Sequence, residues 1–130
     1  MKNYINPEGL VQSSVYSQVI ETQGGRTVYI AGQVAWDADG NVVGDDLQGQ
    51  AQKVFANLKT AVEAVGGTVA DLVKVTIYVV NYQQEHRQTI LTALNDYLDS
   101  EKRPVSTLLG VQSLARPDLL IEIDAIAVLD

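Results

Sequence analysis

From Leu47 onward the apolar residues Leu47, Ala51, Val54, Phe55, Leu58, Ala61, Val62 and Val65 recur at three- and four-residue steps. That period puts them on one stripe of an α-helix. Asp45 or Asp46 stands where a side-chain oxygen can cap the first turn, and Gly66-Gly67 ends the helix. Leu72 to Val80 changes period to two, with Val73, Val75, Ile77 and Val79 on one face and Lys74, Thr76, Tyr78 and Val80 on the other, which predicts a strand. Ile90, Leu91, Leu94, Tyr97 and Leu98 return to helical spacing, and the run from Ser100 to Pro104 ends that second helix. Two further strands are predicted, roughly Val105 to Gln112 and Leu119 to Leu129.

Ahead of the first helix, Val11 to Ile20 alternates imperfectly and Arg26 to Ala35 alternates better, with Gly24-Gly25 between them. This predicts an opening β-hairpin. Asp37-Ala38-Asp39-Gly40-Asn41 then packs turn formers between Val34 and Val42. A calcium loop starting at Asp37 would need its bidentate acid at Gln48 and a helix before it, so the string is read as a hairpin turn and no metal is expected.

The resulting order, β-β-α-β-α-β-β without repeat or linker, predicts an α+β fold in one domain spanning residues 1–130, with two helices on one face of a mostly antiparallel sheet. Tyr29, Gln33, Lys74, Thr76, Tyr78, Ser106, Leu108, Leu120, Glu122, Asp124 and Ile126 are expected on the other face. That mixture is apolar for a solvated surface and polar for a dry core, which suggests self-association; a sheet face simply open to water is the alternative.

Composition narrows the function. With 46% hydrophobic and 19% charged residues, the chain can bury a core throughout its 130 residues. A net charge of −7 without a Lys/Arg cluster opposes nucleic-acid binding. No cysteine is present, which removes disulfides, thiolate nucleophiles and Cys-based metal sites. No segment approaches the ~18 apolar residues of a membrane span and residues 1–12 do not read as a signal peptide, so a cytoplasmic location is the simplest expectation.

The run Arg103-Pro104-Val105-Ser106-Thr107-Leu108-Leu109-Gly110-Val111, followed by Leu114-Ala115-Arg116-Pro117 and Ile121-Glu122-Ile123-Asp124-Ala125-Ile126-Ala127, resembles the signature of the Rid (YjgF-type reactive-intermediate deaminase) family. Val15-Tyr16-Ser17-Gln18, Ile30-Ala31-Gly32-Gln33 and Leu72 to Val79 resemble three other family segments, in the same order. The resemblance implies a chorismate-mutase-like fold with a six-stranded sheet, assembled as a homotrimer with clefts between subunits. Typical members hydrolyse enamines or imines to a keto acid and ammonia, and an arginine holds the substrate carboxylate.

At that arginine's position this chain has Ser106. Ala31 replaces a serine, Leu108 a cysteine and Leu91 a helical asparagine, while Tyr16, Gly32 and Glu122 match. The resemblance therefore implies a small-molecule site at Tyr16, Ala31, Gly32, Leu91, Ser106 and Leu108, with Glu122 as the residue able to position or activate water. Loss of a bidentate arginine disfavours amino-acid-derived imines, and a neutral or cationic ligand is expected instead. The expected function is metabolite binding with little or no standard deaminase activity; a divergent hydrolase using Glu122 is the alternative.

Other residues carry weaker chemistry. Glu122 and Asp124 share a strand face about 7 Å apart and could serve as acid and base, or as interface acids paired with Lys74. His86, the one histidine, has no partner at catalytic or metal-ligand spacing. Arg103 or Arg116 could supply the missing cation, or pair with surface acids. Trp36 reads as a packing residue, and Ser17 and Ser106 lack a visible base. Neither glycine pair belongs to a phosphate-cradling motif, so no nucleotide cofactor is implied. The ribonuclease label carried by some family relatives is not expected to apply, since nothing here would bind or cleave a phosphodiester.

Overall fold

The computed structural model describes Met1–Asp130. It contains β1 (Lys2–Ile5), β2 (Val19–Thr22), β3 (Arg26–Gln33), α1 (Leu47–Glu63), β4 (Leu72–Val80), α2 (His86–Tyr97), β5 (Val105–Val111) and β6 (Ile121–Leu129), with a 3-10 turn at Val69–Asp71. The fold is α+β with two helices, as the periodicity and the family resemblance predict; six strands are present, one more than the periodicity gives, and they do not form the single six-stranded sheet that the resemblance implies. The strands divide into a two-stranded sheet β1-β2 and a four-stranded sheet ordered β3-β6-β4-β5. All pairings are antiparallel except β4-β5. No helix is long and apolar enough to cross a membrane.

Residues of α1 and α2 pack on one side of the four-stranded sheet. Phe55, Leu58, Val62, Val75, Ile77, Leu94, Ile121 and Ile123 belong to one contiguous buried cluster. Each fully buried side chain of this size contributes about 1.5–3 kcal/mol by leaving water. Phe55 and Tyr97 stack with ring centroids 6.1 Å apart, joining the two helices. Asp46, not Asp45, caps α1: its Oδ1 accepts from Gly49 N–H at 2.8 Å. At the other end Gly66 takes φ +87°, and Gly67 N–H donates to the Val62 carbonyl, closing the helix as the glycine pair predicts.

The opening hairpin needs correction. Val11–Gln18 forms no strand, and β2 pairs with β1, a strand the sequence reading did not contain. Gly24 and Gly25, at φ +70° and +80°, do turn the chain between β2 and β3. The two strands then part, because β3 finds its ladder with β6, Tyr29 opposite Ile126 and Ile30 opposite Ala125. The preceding segment is spent on a tertiary tether. Ser17 N–H donates to the Pro104 carbonyl at 3.2 Å and Ser17 Oγ to the Arg103 carbonyl at 2.7 Å, just ahead of β5.

The acidic string after β3 is a turn. Asp37 Oδ1 accepts from the Asp39 and Asn41 N–H groups at 3.0 and 2.9 Å, and Trp36 bridges Val42 across it. These hydrogen bonds, that from Asn41 foremost, hold the Asp37 carboxyl below its usual range.

Candidate functional site

The β4-β5 register decides which side chains meet. In that parallel pair Val75 lies opposite Ser106 and Ile77 opposite Leu108. Partners in a ladder share a face, and Val75 and Ile77 face the helices, so Ser106 and Leu108 do too. The sequence reading had placed them on the opposite face; Thr107 and Leu109 occupy it instead, opposite Thr76 and Tyr78. Gln33, in register with Ile123, also belongs to the helix-facing set, and Leu120 precedes β6 and donates its N–H to Gln50 Oε1 at 2.8 Å.

On the helix side, a cleft of about 210 Å³ opens between α2 and the edge strand β5. Helix α2 contributes Arg87, Ile90, Leu91 and Leu94; β4 contributes Ile77; β5 contributes Ser106 and Leu108. Val15 and Tyr16 complete it, brought there by the tether at the adjacent Ser17. Four of the candidate ligand-binding residues, Tyr16, Leu91, Ser106 and Leu108, thus line one space. The walls are mainly hydrocarbon, with two hydroxyls and one guanidinium as polar features and no carboxylate.

Ala31, Gly32 and Glu122 lie elsewhere. A register shift between Ile30 and Gln33 bulges β3 there, and a Cβ placed on Gly32 would fall within the Glu122 carboxylate. Gly32 therefore makes room for that side chain, which shares its sheet face with Tyr78 and Asp124. Tyr78 Oη donates to Asp124 Oδ2 at 3.2 Å, and the Asp124 charge raises the Tyr78 phenol above its ordinary value. Asp124 thus has Tyr78 as its partner, while Lys74 makes no ion pair. Within one chain, the sheet separates Glu122 from the cleft.

The two arginines weighed as replacement cations are both engaged outside the cleft. Arg103 is buried, with Nη2 donating to Asn95 Oδ1 at 2.7 Å while Nε and Nη1 have no partner; its burial lowers its pKa. Arg116 pairs with Asp118 at 2.8 Å and lies 5.7 Å over the Trp36 ring. His86 Nδ1 accepts from Gln83 N–H, a local helix-start contact outside the cleft. Sequence reasoning missed Arg87, which sits in the polar stretch before the α2 stripe. Its one available signal is position, three and four residues ahead of Ile90 and Leu91 and so on their side of the helix.

Comparison with known proteins agrees with this architecture. A family model described as Endoribonuclease L-PSP matches residues 9–129. A 2-iminobutanoate/2-iminopropanoate deaminase of Dermatophagoides farinae is 31% identical over 119 residues, 88% of this chain and 86% of the relative. The crystal structure of YyfB from Yersinia pestis, a Rid-family protein described as of unknown function, superposes with a TM-score of 0.90 at 41% identity over 98% of both chains. RidA from the Antarctic bacterium Psychrobacter sp. gives 0.72 at 26% identity, covering 92% of this chain and 98% of its own. With a fold, a strand signature and a near full-length family match in agreement, this chain belongs to the Rid/YjgF family.

Proposed function

We propose that the chain binds a small metabolite in the cleft between α2 and β5, with little or no standard 2-imino acid deaminase activity. The observation that supports this reading is Ser106, whose side chain lines the cleft at the position where the family resemblance implies a carboxylate-holding arginine. A serine hydroxyl cannot replace the paired donors of a guanidinium fork. The cleft volume falls below the roughly 300–1,000 Å³ of drug-sized sites, which suits a small ligand.

The functional unit in this proposal is a homotrimer. Strand β5 has β4 on one side and an unpaired edge on the other, with Leu108 and Leu109 37% and 44% exposed, and Tyr29 on the far sheet face is 78% exposed. Such an edge and face favour covering by another chain. Sedimentation equilibrium showing a stable monomer at micromolar concentration would remove this part of the proposal.

A second reading is a divergent enamine or imine hydrolase in which Glu122 positions water. The deaminase name of the mite relative favours it, and it requires a neighbouring copy to bring a Glu122-bearing face to the cleft. Semicarbazide trapping of imines generated by an amino acid oxidase separates the readings, applied to the wild type, Ser106→Arg and Glu122→Ala. Binding without turnover predicts an inactive wild type; strong wild-type activity abolished by Glu122→Ala establishes the hydrolase instead.

A further inference from the structure

The cleft contains one cation, on the wall opposite β5. Arg87 stands in the first turn of α2 and lines the cleft beside Ile90, Leu91 and Leu94 of the same helix. It is exposed, and its guanidinium makes no ion pair: the chain's ion pairs use Met1, Lys2, Lys59 and Arg116. Its backbone N–H donates to the Gln84 carbonyl and its side chain makes no hydrogen bond, which leaves every guanidinium donor available. In a chain of net charge −7, the one charged side chain lining this cleft is thus a cation set among hydrocarbon walls.

We infer that Arg87 determines the ligand class of this cleft: a small monoanion with an apolar body, its carboxylate on the guanidinium and its hydrocarbon against Ile90, Leu91, Leu94 and Leu108. The inference rests on the cleft being the binding site proposed above. A planar guanidinium pairs with a carboxylate through charge-assisted bonds, and the apolar walls reward a ligand whose remaining atoms are hydrocarbon. A cation would be repelled, and a neutral carbonyl would accept a hydrogen bond from the guanidinium without the charge pairing that a carboxylate adds. The expectation of a neutral or cationic ligand considered position 106 alone; Arg87 supplies positive charge from the helix. Its approach also differs from a strand-borne clamp, so a carboxylate held there presents its neighbouring carbon differently to β5.

Methyl-resolved NMR on the full-length protein in its native assembly tests this, following Ile90, Leu91 and Leu108 during titration with 4-methylpentanoate, 4-methylpentanamide and 3-methylbutylamine. In the wild type the carboxylate is expected to bind at least about tenfold more tightly than the amide or the amine. Arg87→Gln is expected to remove that preference by weakening carboxylate binding far more than amide binding, and Arg87→Lys to restore part of it. If the amide or amine binds as tightly as the carboxylate, or if Arg87→Gln leaves carboxylate affinity intact, the assignment to Arg87 fails and the cleft remains a binding site. If none of the three ligands moves the cleft methyls, the inference fails together with the binding-site reading.

Discussion

Arg103 Nη2 donates to Asn95 Oδ1 at 2.7 Å, tying the residue that leads into β5 to the last turns of α2. The bond spans the closed end of the α2–β5 unit, and it is the only one this guanidinium makes, since Nε and Nη1 are buried without partners.

Asn95→Ala should therefore destabilise the fold by about 1–3 kcal/mol, the cost of leaving a buried charged donor unpaired. Arg103→Met, which keeps length and removes the charge, should cost less than Asn95→Ala or stabilise. Urea denaturation of the two variants measures the order, and a larger loss for Arg103→Met contradicts this account.

Gly32→Ala should displace the Glu122 side chain, because the new Cβ would occupy the carboxylate's place. Shortening Glu122 to Ala should then relieve the clash, giving a coupling of about 0.5–3 kcal/mol in a double-mutant cycle. Additive single effects would show that the two residues do not share this space.

Tyr78 should ionise above its ordinary value of 10.0, because the Asp124 carboxylate beside it disfavours a phenolate. A phenol whose folded pKa is raised contributes stability that is present below its unfolded value and lost as pH rises through the folded one. The effect is thus confined to alkaline solution. Ultraviolet titration of the wild type against Tyr78→Phe isolates the transition, and Asp124→Asn should move it down.

No RNA cleavage is expected despite the endoribonuclease description of the matching family model. The net charge of −7 repels a phosphate backbone, and the single histidine lies outside the cleft at the start of α2. Purified protein incubated with labelled RNA should leave it intact, and salt-sensitive binding lost on mutation of a cleft residue would overturn the expectation.

Strand β4 was legible in its bounds and from Val75 onward in its faces, since its helix-facing positions are aliphatic, although a register shift between Leu72 and Lys74 puts Leu72 rather than Val73 in the contiguous buried cluster. Helix α1 was legible because its stripe runs between a capping aspartate and a glycine stop. Strand β1 was not: four residues, alternately half-buried and exposed, carry too little periodicity to stand out. The faces of β5 were ambiguous for a different reason. Ser106 and Leu108 are matched on the other face by Thr107 and Leu109, so each face carries one hydroxyl and one leucine, and only the parallel register with β4 assigns them. Arg87 was hidden because which polar residue enters a cleft depends on how the helix docks, a tertiary fact.

The parallel pairing of β4 and β5 obliges the chain to return through α2, so all the cleft's lining except Val15 and Tyr16 falls within one uninterrupted stretch, Ile77 to Leu108. Glu122 and Gly32 lie outside that stretch. Most of the cleft wall is thereby transplantable: exchanging Leu72–Val111 with a relative's matching segment would carry seven of its nine lining residues across as one cassette, while Val15, Tyr16 and the Glu122 carboxylate on the far sheet face would stay with the recipient. The cleft wall and the Glu122 carboxylate can diverge along this chain as separate inheritances.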